Sequence, residues 1–124
     1  MGSRHALQIT VSVADGLAVI GVQGAMRRGV ATDQLLAVVE MLCESGQRRV
    51  VVHAAGVSAV DIDGLVTLMD CQAALQGVGG SLLIRSPSPA LRLALRRTGL
   101  DTVLEIVDAP GPDASRQSSP APGG

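Results

Sequence analysis

Val57-Ser58-Ala59-Val60-Asp61-Ile62-Asp63-Gly64-Leu65 lies between two apolar patterns of different period. Before it stands a Val-rich run, Val50-Val51-Val52. After it, apolar residues recur at helical spacing from Leu65 to Leu75. The stretch therefore reads as a strand-to-helix loop with two carboxylates and a glycine at a helix N-terminus. The first backbone N–H groups of a helix lack intrahelical partners and favour negative charge, so such a loop is a natural functional site.

Towards the N-terminus, Leu7, Ile9, Val11 and Val13 alternate with Gln8, Thr10 and Ser12. This is the period-2 pattern of a strand with one wet face. Asp15-Gly16 is a hairpin turn signal, and a second strand is expected over 17–23. Residues 24–31 read as a loop. Thr32 suits an N-cap with Asp33 in the first turn, and Leu35, Val38, Val39 and Leu42 mark a one-sided helix. Ser45-Gly46 ends it. A third, central strand is expected over 48–53.

Beyond the opening stretch, a second helix is expected over 64–76, with Leu68, Cys71 and Leu75 as its stripe, bracketed by Leu65 and Met69. Gly77-Val78-Gly79-Gly80 follows a helix and lacks the Lys-Ser/Thr of a phosphate loop, so it is a break. Residues 81–85 form the fourth strand. Ser88 and Pro89 suit the N-cap and first position of a third helix, whose face is Leu91, Ala94 and Leu95. Thr98-Gly99-Leu100 stops it, and 103–107 form a last short strand.

The order β-β-α-β-α-β-α-β predicts an α/β fold: a mixed sheet, antiparallel in its first pair and mainly parallel after it, with helices mainly on one face. The domain is expected over 7–108. Residues 109–124 turn to Pro, Gly, Ser and Ala with almost nothing to bury, the composition of a disordered tail.

Composition narrows the function. Ten Arg and Lys against 11 Asp and Glu leave no basic excess, and there is no Phe, Tyr or Trp on which bases could stack. Nucleic acid is therefore not the expected partner. Apolar runs are too short for a membrane span, so no direct membrane insertion is expected. The N-terminus lacks the apolar region of a secretion signal, and a cytoplasmic location is expected. Cys43 and Cys71 lack metal-ligand spacing and read as reduced, packed thiols. His53, alone at a strand end, reads as structural. No metal or other cofactor is expected.

Asp61 and Asp63 allow two chemical readings. Paired carboxylates can share acid–base work, yet the chain offers no nucleophile–base pair beside them, so no catalytic residue and no enzyme activity is expected. Capping accounts for them better. Asp63, directly before Gly64-Leu65, suits the N-cap, and Asp61 suits an Asx-turn.

The stretch Gly56 to Leu65 also resembles the signature of the STAS domains, the anti-sigma factor antagonists: a strand, a short apolar lead, Asp-Ser-Ser-Gly-Leu, then a helix. The hairpin start, the Gly-rich lead of 77–84 into a strand, and Ser88-Pro89 through Thr98-Gly99-Leu100 are similar to the same family. What the resemblance implies is partner switching. The antagonist binds an anti-sigma factor, often a GHKL-type serine kinase, and frees a sigma factor. The kinase phosphorylates the second Ser of the motif and breaks the complex.

The chain departs from that pattern at two places. Ile62 replaces the first Ser, and Asp63 occupies the phosphoacceptor position without a hydroxyl. At the end of the second strand the family's Gly-Glu-Leu-Asp is here Gly24-Ala25-Met26-Arg27. The implied partner surface is Met26, Arg27, Asp61, Ile62, Asp63, Gly64 and Leu65, with Arg27 expected to pair with Asp61 or Asp63. Ser58 and Thr67 are the other hydroxyls near the loop. Alternatives are a nucleotide-binding STAS module, or an accessory STAS subunit of a transporter or stress-signalling assembly.

Overall fold

The computed structural model describes residues 7–27 and 29–107. Two strands, β1 (Gln8–Ala14) and β2 (Leu17–Met26), are joined by Asp15 and Gly16 at φ 55° and 77°. Both angles are left-handed, as a two-residue hairpin turn between right-twisted strands requires. Three helix–strand units follow: α1 (Val30–Glu44) and β3 (Arg49–Val60), α2 (Ile62–Gln76) and β4 (Ser81–Arg85), α3 (Pro89–Thr98) and β5 (Glu105–Val107). A 3-10 turn, Leu100–Thr102, precedes β5. The expected tail, 109–124, lies outside the described residues.

The five strands lie side by side in chain order, β1 antiparallel to β2 and the rest parallel. That order dictates the layering. Each crossover steps to the next strand in the same direction, and each is right-handed, so all three helices fall on one face. Burial follows the same rule. Ala18, Ile20, Val22, Val50, Val52, Ala54, Leu82 and Ile84 point under the helices and are buried, whereas Gly21, His53 and Arg85 lie on the uncovered face. Leu35 and Val39 of α1, Leu68, Cys71 and Leu75 of α2, and Leu91 and Leu95 of α3 close the core. It holds no aromatic side chain. Among the described residues, no helix is long and apolar enough to cross a membrane.

Four local expectations need correction. β2 runs to Met26 and β3 to Val60, well past 23 and 53. Two register shifts, at Gly21/Gln23 and Gly24/Ala25, carry the ladder onward to Met26↔Val60. α1 starts at Val30, so Thr32 lies inside the first turn. Its hydroxyl donates to the carbonyls of Gly29 (2.9 Å) and Arg27 (3.1 Å) instead of accepting an N–H as a cap would. Leu7, just before β1, is buried, but Val11 and Val13 on the strand are 44% and 49% exposed. The alternation gave their face correctly, yet no helix reaches over that end of the edge strand. The last strand begins at Glu105, because Val103 follows the 3-10 turn.

Other punctuation falls where the sequence places it. Ser88 caps α3, accepting the Leu91 N–H at 3.1 Å, and its own N–H donates to Ala54 at 3.0 Å. Gly99 takes the left-handed conformation after α3, with φ 76°.

Cys71 gives a pH signature. Burial, then the charges of Asp70, Glu40 and Cys43, push its thiol from 9.0 up to about 12. Between those values the unfolded chain has released the proton and the folded chain still holds it. This stability is complete below about pH 9 and is lost as pH rises towards 12, at up to about 1.4 kcal/mol per unit. The chain has no Lys and no Tyr, so few other groups titrate there. Urea unfolding should show a lower stability at about pH 10.5 than at about pH 8. Replacing Cys71 with Ala should flatten that dependence.

Candidate functional site

The ends of β2 and β3 lie together at one end of the sheet, where Met26 pairs with Val60. The chain then turns directly into α2. Two backbone contacts fix the turn. The Asp61 N–H donates to the Met26 carbonyl at 3.2 Å. Gly64 packs flat against that same carbonyl, leaving no room for a side chain: a Cβ there would run into the Met26 oxygen and come within 2.9 Å of Val60 Cγ2.

Asp61, not Asp63, is the N-cap of α2. Its backbone is extended (φ −112°, ψ −175°), and its Oδ1 accepts the Gly64 N–H at 2.9 Å. The Leu65 N–H donates to the Asp61 carbonyl at 3.1 Å, the first helical bond. Because the helix starts at Ile62, Asp63 falls inside the first turn. There its exposed carboxylate is favoured by the helix dipole.

The residues singled out by sequence are neighbours, but they divide by exposure. Met26 is fully buried and contributes its carbonyl, not its side chain, to this end of the sheet. Gly64 and Leu65 are buried in the first turn. Arg27 is exposed just past β2. Ile62 is 63% exposed, unusual for so large an apolar side chain. Thr67 donates its hydroxyl to the Asp63 carbonyl at 2.9 Å, and Ser58 is exposed on β3.

Two features went unread in the sequence. Val66 continues the exposed apolar line of Ile62 along α2, and Met69, expected to bracket the buried stripe, is 36% exposed on the same line, at i, i+4 and i+7. A groove of about 450 Å³ also separates the start of α2 from α3. Val60, Ile62, Leu65, Ala90, Leu93 and Ala94 supply its apolar wall, and Asp61 and Arg97 its charged groups. The available signal was the position of Leu93 off the Leu91–Leu95 stripe of α3, and the structure leaves it 43% exposed. His53 lies elsewhere, in a shallow polar depression on the uncovered sheet face with Gln8, Thr10 and Gln23. Among the described residues, no group of three or more His, Cys, Asp and Glu side chains could hold a metal ion.

Comparison with known proteins gives a family and a fold. The family model described as Mlab, STAS domain, matches residues 9–107. No curated protein matches the sequence. Among solved structures, an anti-sigma factor antagonist from Mycobacterium paratuberculosis superposes with a TM-score of 0.71 at 20% identity, covering 88% of this chain and 92% of that one. The anti-sigma factor antagonist SpoIIAA in its unphosphorylated form gives 0.73 at 20% identity, over 86% and 92%. The Bacillus cell-fate determinant SpoIIAA in its phosphorylated form gives 0.66 at 23% identity, over 88% and 96%.

Stability should separate the three residues of the turn. Asp61→Ala removes the cap and should cost about 1 kcal/mol in urea unfolding. Asp63→Ala removes a first-turn charge that the helix dipole favours, about 0.5 kcal/mol. Gly64→Ala forces a methyl into the Met26 carbonyl and should cost about 1–3 kcal/mol. A larger loss for Asp63→Ala than for Asp61→Ala would contradict the cap assignment.

Proposed function

This chain belongs to the STAS domain family, and we propose that it is an anti-sigma-factor-antagonist-like regulator of transcription in the cytoplasm, acting by binding and not by catalysis. Its partner is an anti-sigma factor of the GHKL serine-kinase type. The binding surface is the start of α2 and the groove beside it: Ile62 and Asp63 with Arg27, extended by Val66 and Leu93. The observation that carries this reading is the exposure of Ile62 directly beside the charge of Asp63, on a turn whose other members are packed inward. The fold shared with anti-sigma factor antagonists supports it.

Asp63 sets the regulation. A phosphate at such a helix start adds about −1.5 to −2 charges to a binding surface. Asp63 places one negative charge there permanently and offers a kinase no hydroxyl. The helix dipole favours that charge, so the fold tolerates it at little cost. The chain is therefore held part-way towards the released state and is not switched at this position. Thr67 does not stand at this position, and its hydroxyl donates to the Asp63 carbonyl.

Removing the charge should strengthen binding. In a pull-down with the cognate anti-sigma factor, Asp63→Ser and Asp63→Ala should both bind on the order of tenfold more tightly, about 1.4 kcal/mol. With kinase and ATP, only Asp63→Ser should gain a phosphoryl group at the loop by intact mass. Wild-type protein phosphorylated at the loop would sink the proposal. Ile62→Asp should abolish binding while leaving the melting temperature nearly unchanged, because the side chain it replaces is exposed.

A further inference from the structure

β1 is an outer strand of the sheet. Soluble proteins blunt such edges with charges, prolines, bulges or very short strands. This strand has none of these. Gln8-Ile9-Thr10-Val11-Ser12-Val13-Ala14 carries no charge and no proline across its 7 residues, and its ladder with β2 runs without a register shift.

Ladder geometry fixes which groups face outward. The two-residue turn makes Ala14↔Leu17 a hydrogen-bonded pair, and such pairs alternate along an antiparallel ladder. Gln8, Thr10 and Ser12 therefore also bond to β2. Ile9, Val11 and Val13 turn their N–H and C=O groups to the free edge. The same three residues carry apolar side chains on the helix side, where Val11 and Val13 are left 44% and 49% exposed.

We propose that this edge pairs with the β1 edge of a second copy of the chain, antiparallel, about a two-fold axis at Val11. The strand is symmetric in character about that residue. Pairing centred there sets Val11 against its own copy, Ile9 against Val13, and Thr10 against Ser12. Apolar meets apolar on the helix side and hydroxyl meets hydroxyl on the other, the pairings that stabilise neighbouring strands. Ile9, Val11 and Val13 then exchange about six backbone hydrogen bonds across the axis. Sliding the register by two residues leaves part of the strand unpaired. No like charges oppose one another, because the strand has none.

The two sheets become one, with both helix layers on the same side. Val11 and Val13 then lie in the gap between those layers, flanked by the same residues of the other copy. A closed two-fold contact of this kind uses one surface patch on both copies and cannot grow into a fibre. A single strand edge buries less area than permanent dimers do, so association depends on concentration. The α2–α3 groove lies on other elements, and the inference does not rest on the function proposed for it.

The test uses the full chain in analytical ultracentrifugation from about 1 μM to about 1 mM, with hydrogen exchange at both ends of the range. A monomer–dimer equilibrium is expected. The amides of Ile9, Val11 and Val13 should gain protection with concentration, while those of Thr10 and Ser12 stay protected throughout. Val11→Lys, which sets two like charges across the axis, should weaken the dimer at least on the order of 100-fold. Hydrogen exchange on the wild type decides the matter should that variant fold poorly. A monomer across the whole range overturns the proposal. So does a dimer indifferent to Val11→Lys in a folded variant, which would place the contact elsewhere. Protection of the three amides at every concentration also overturns it, because the chain's own terminal residues would then cover the edge.

Discussion

The backbone carbonyl of Met26 holds the functional end of this fold together. It accepts the Asp61 N–H and forms the floor on which Gly64 sits. One oxygen thereby joins the end of β2 to the start of α2 and sets the depth at which the helix enters. Gly64 is needed because a Cβ would collide with that oxygen, and Asp61 because its side chain closes the first turn on the Gly64 N–H. With the turn held by one carbonyl, one carboxylate and one missing side chain, the side chains of Ile62 and Asp63 have no packing role. They are left at the surface, where their chemistry can change without disturbing the core.

The groove beside them depends on a second constraint, the length of β3. Had that strand ended at His53, α3 would have nothing to dock on. Its extension to Val60 supplies the Ala54 carbonyl to the Ser88 N–H and a wall opposite Leu93. The register shifts of β2 make the extension possible, because they keep the ladder paired where the regular pleat fails. The groove is therefore a consequence of irregularity in the sheet, transmitted through α3.

The element order was legible from period alone, and the turns at Asp15-Gly16 and Gly99 from residue chemistry. The strand ends were not. Gly24-Ala25 and Ala55-Gly56 lack the β-branched residues that mark strands, and the ladder runs through them only by long-range pairing, Gln23 with Gly56, Gly24 with Val57 and Ala25 with Ala59. The cap was misplaced by two residues because Asp61 and Asp63 both satisfy the local pattern. The Met26 carbonyl, a long-range partner, decides between them. Leu93 and Arg97 escaped notice because their relation to Ile62 exists only once α3 docks. Val11 and Val13 show a further limit. Alternation tells which face a side chain takes, but not whether anything covers that face.

Composition also shapes how such a surface binds. Interface hot spots are commonly Trp, Tyr and Arg, and this chain has neither aromatic. Of its exposed apolar groups, Ile62 and Leu93 line a groove that presents no aromatic anchor of its own. A groove without an anchor of its own is complementary to an anchor supplied from outside. Affinity then comes from apolar area closed over the groove, and discrimination from the charges at its edge. In that arrangement a single carboxylate at position 63 has leverage. Any group that covers position 63 must accommodate the charge of its carboxylate, and burying charge is expensive.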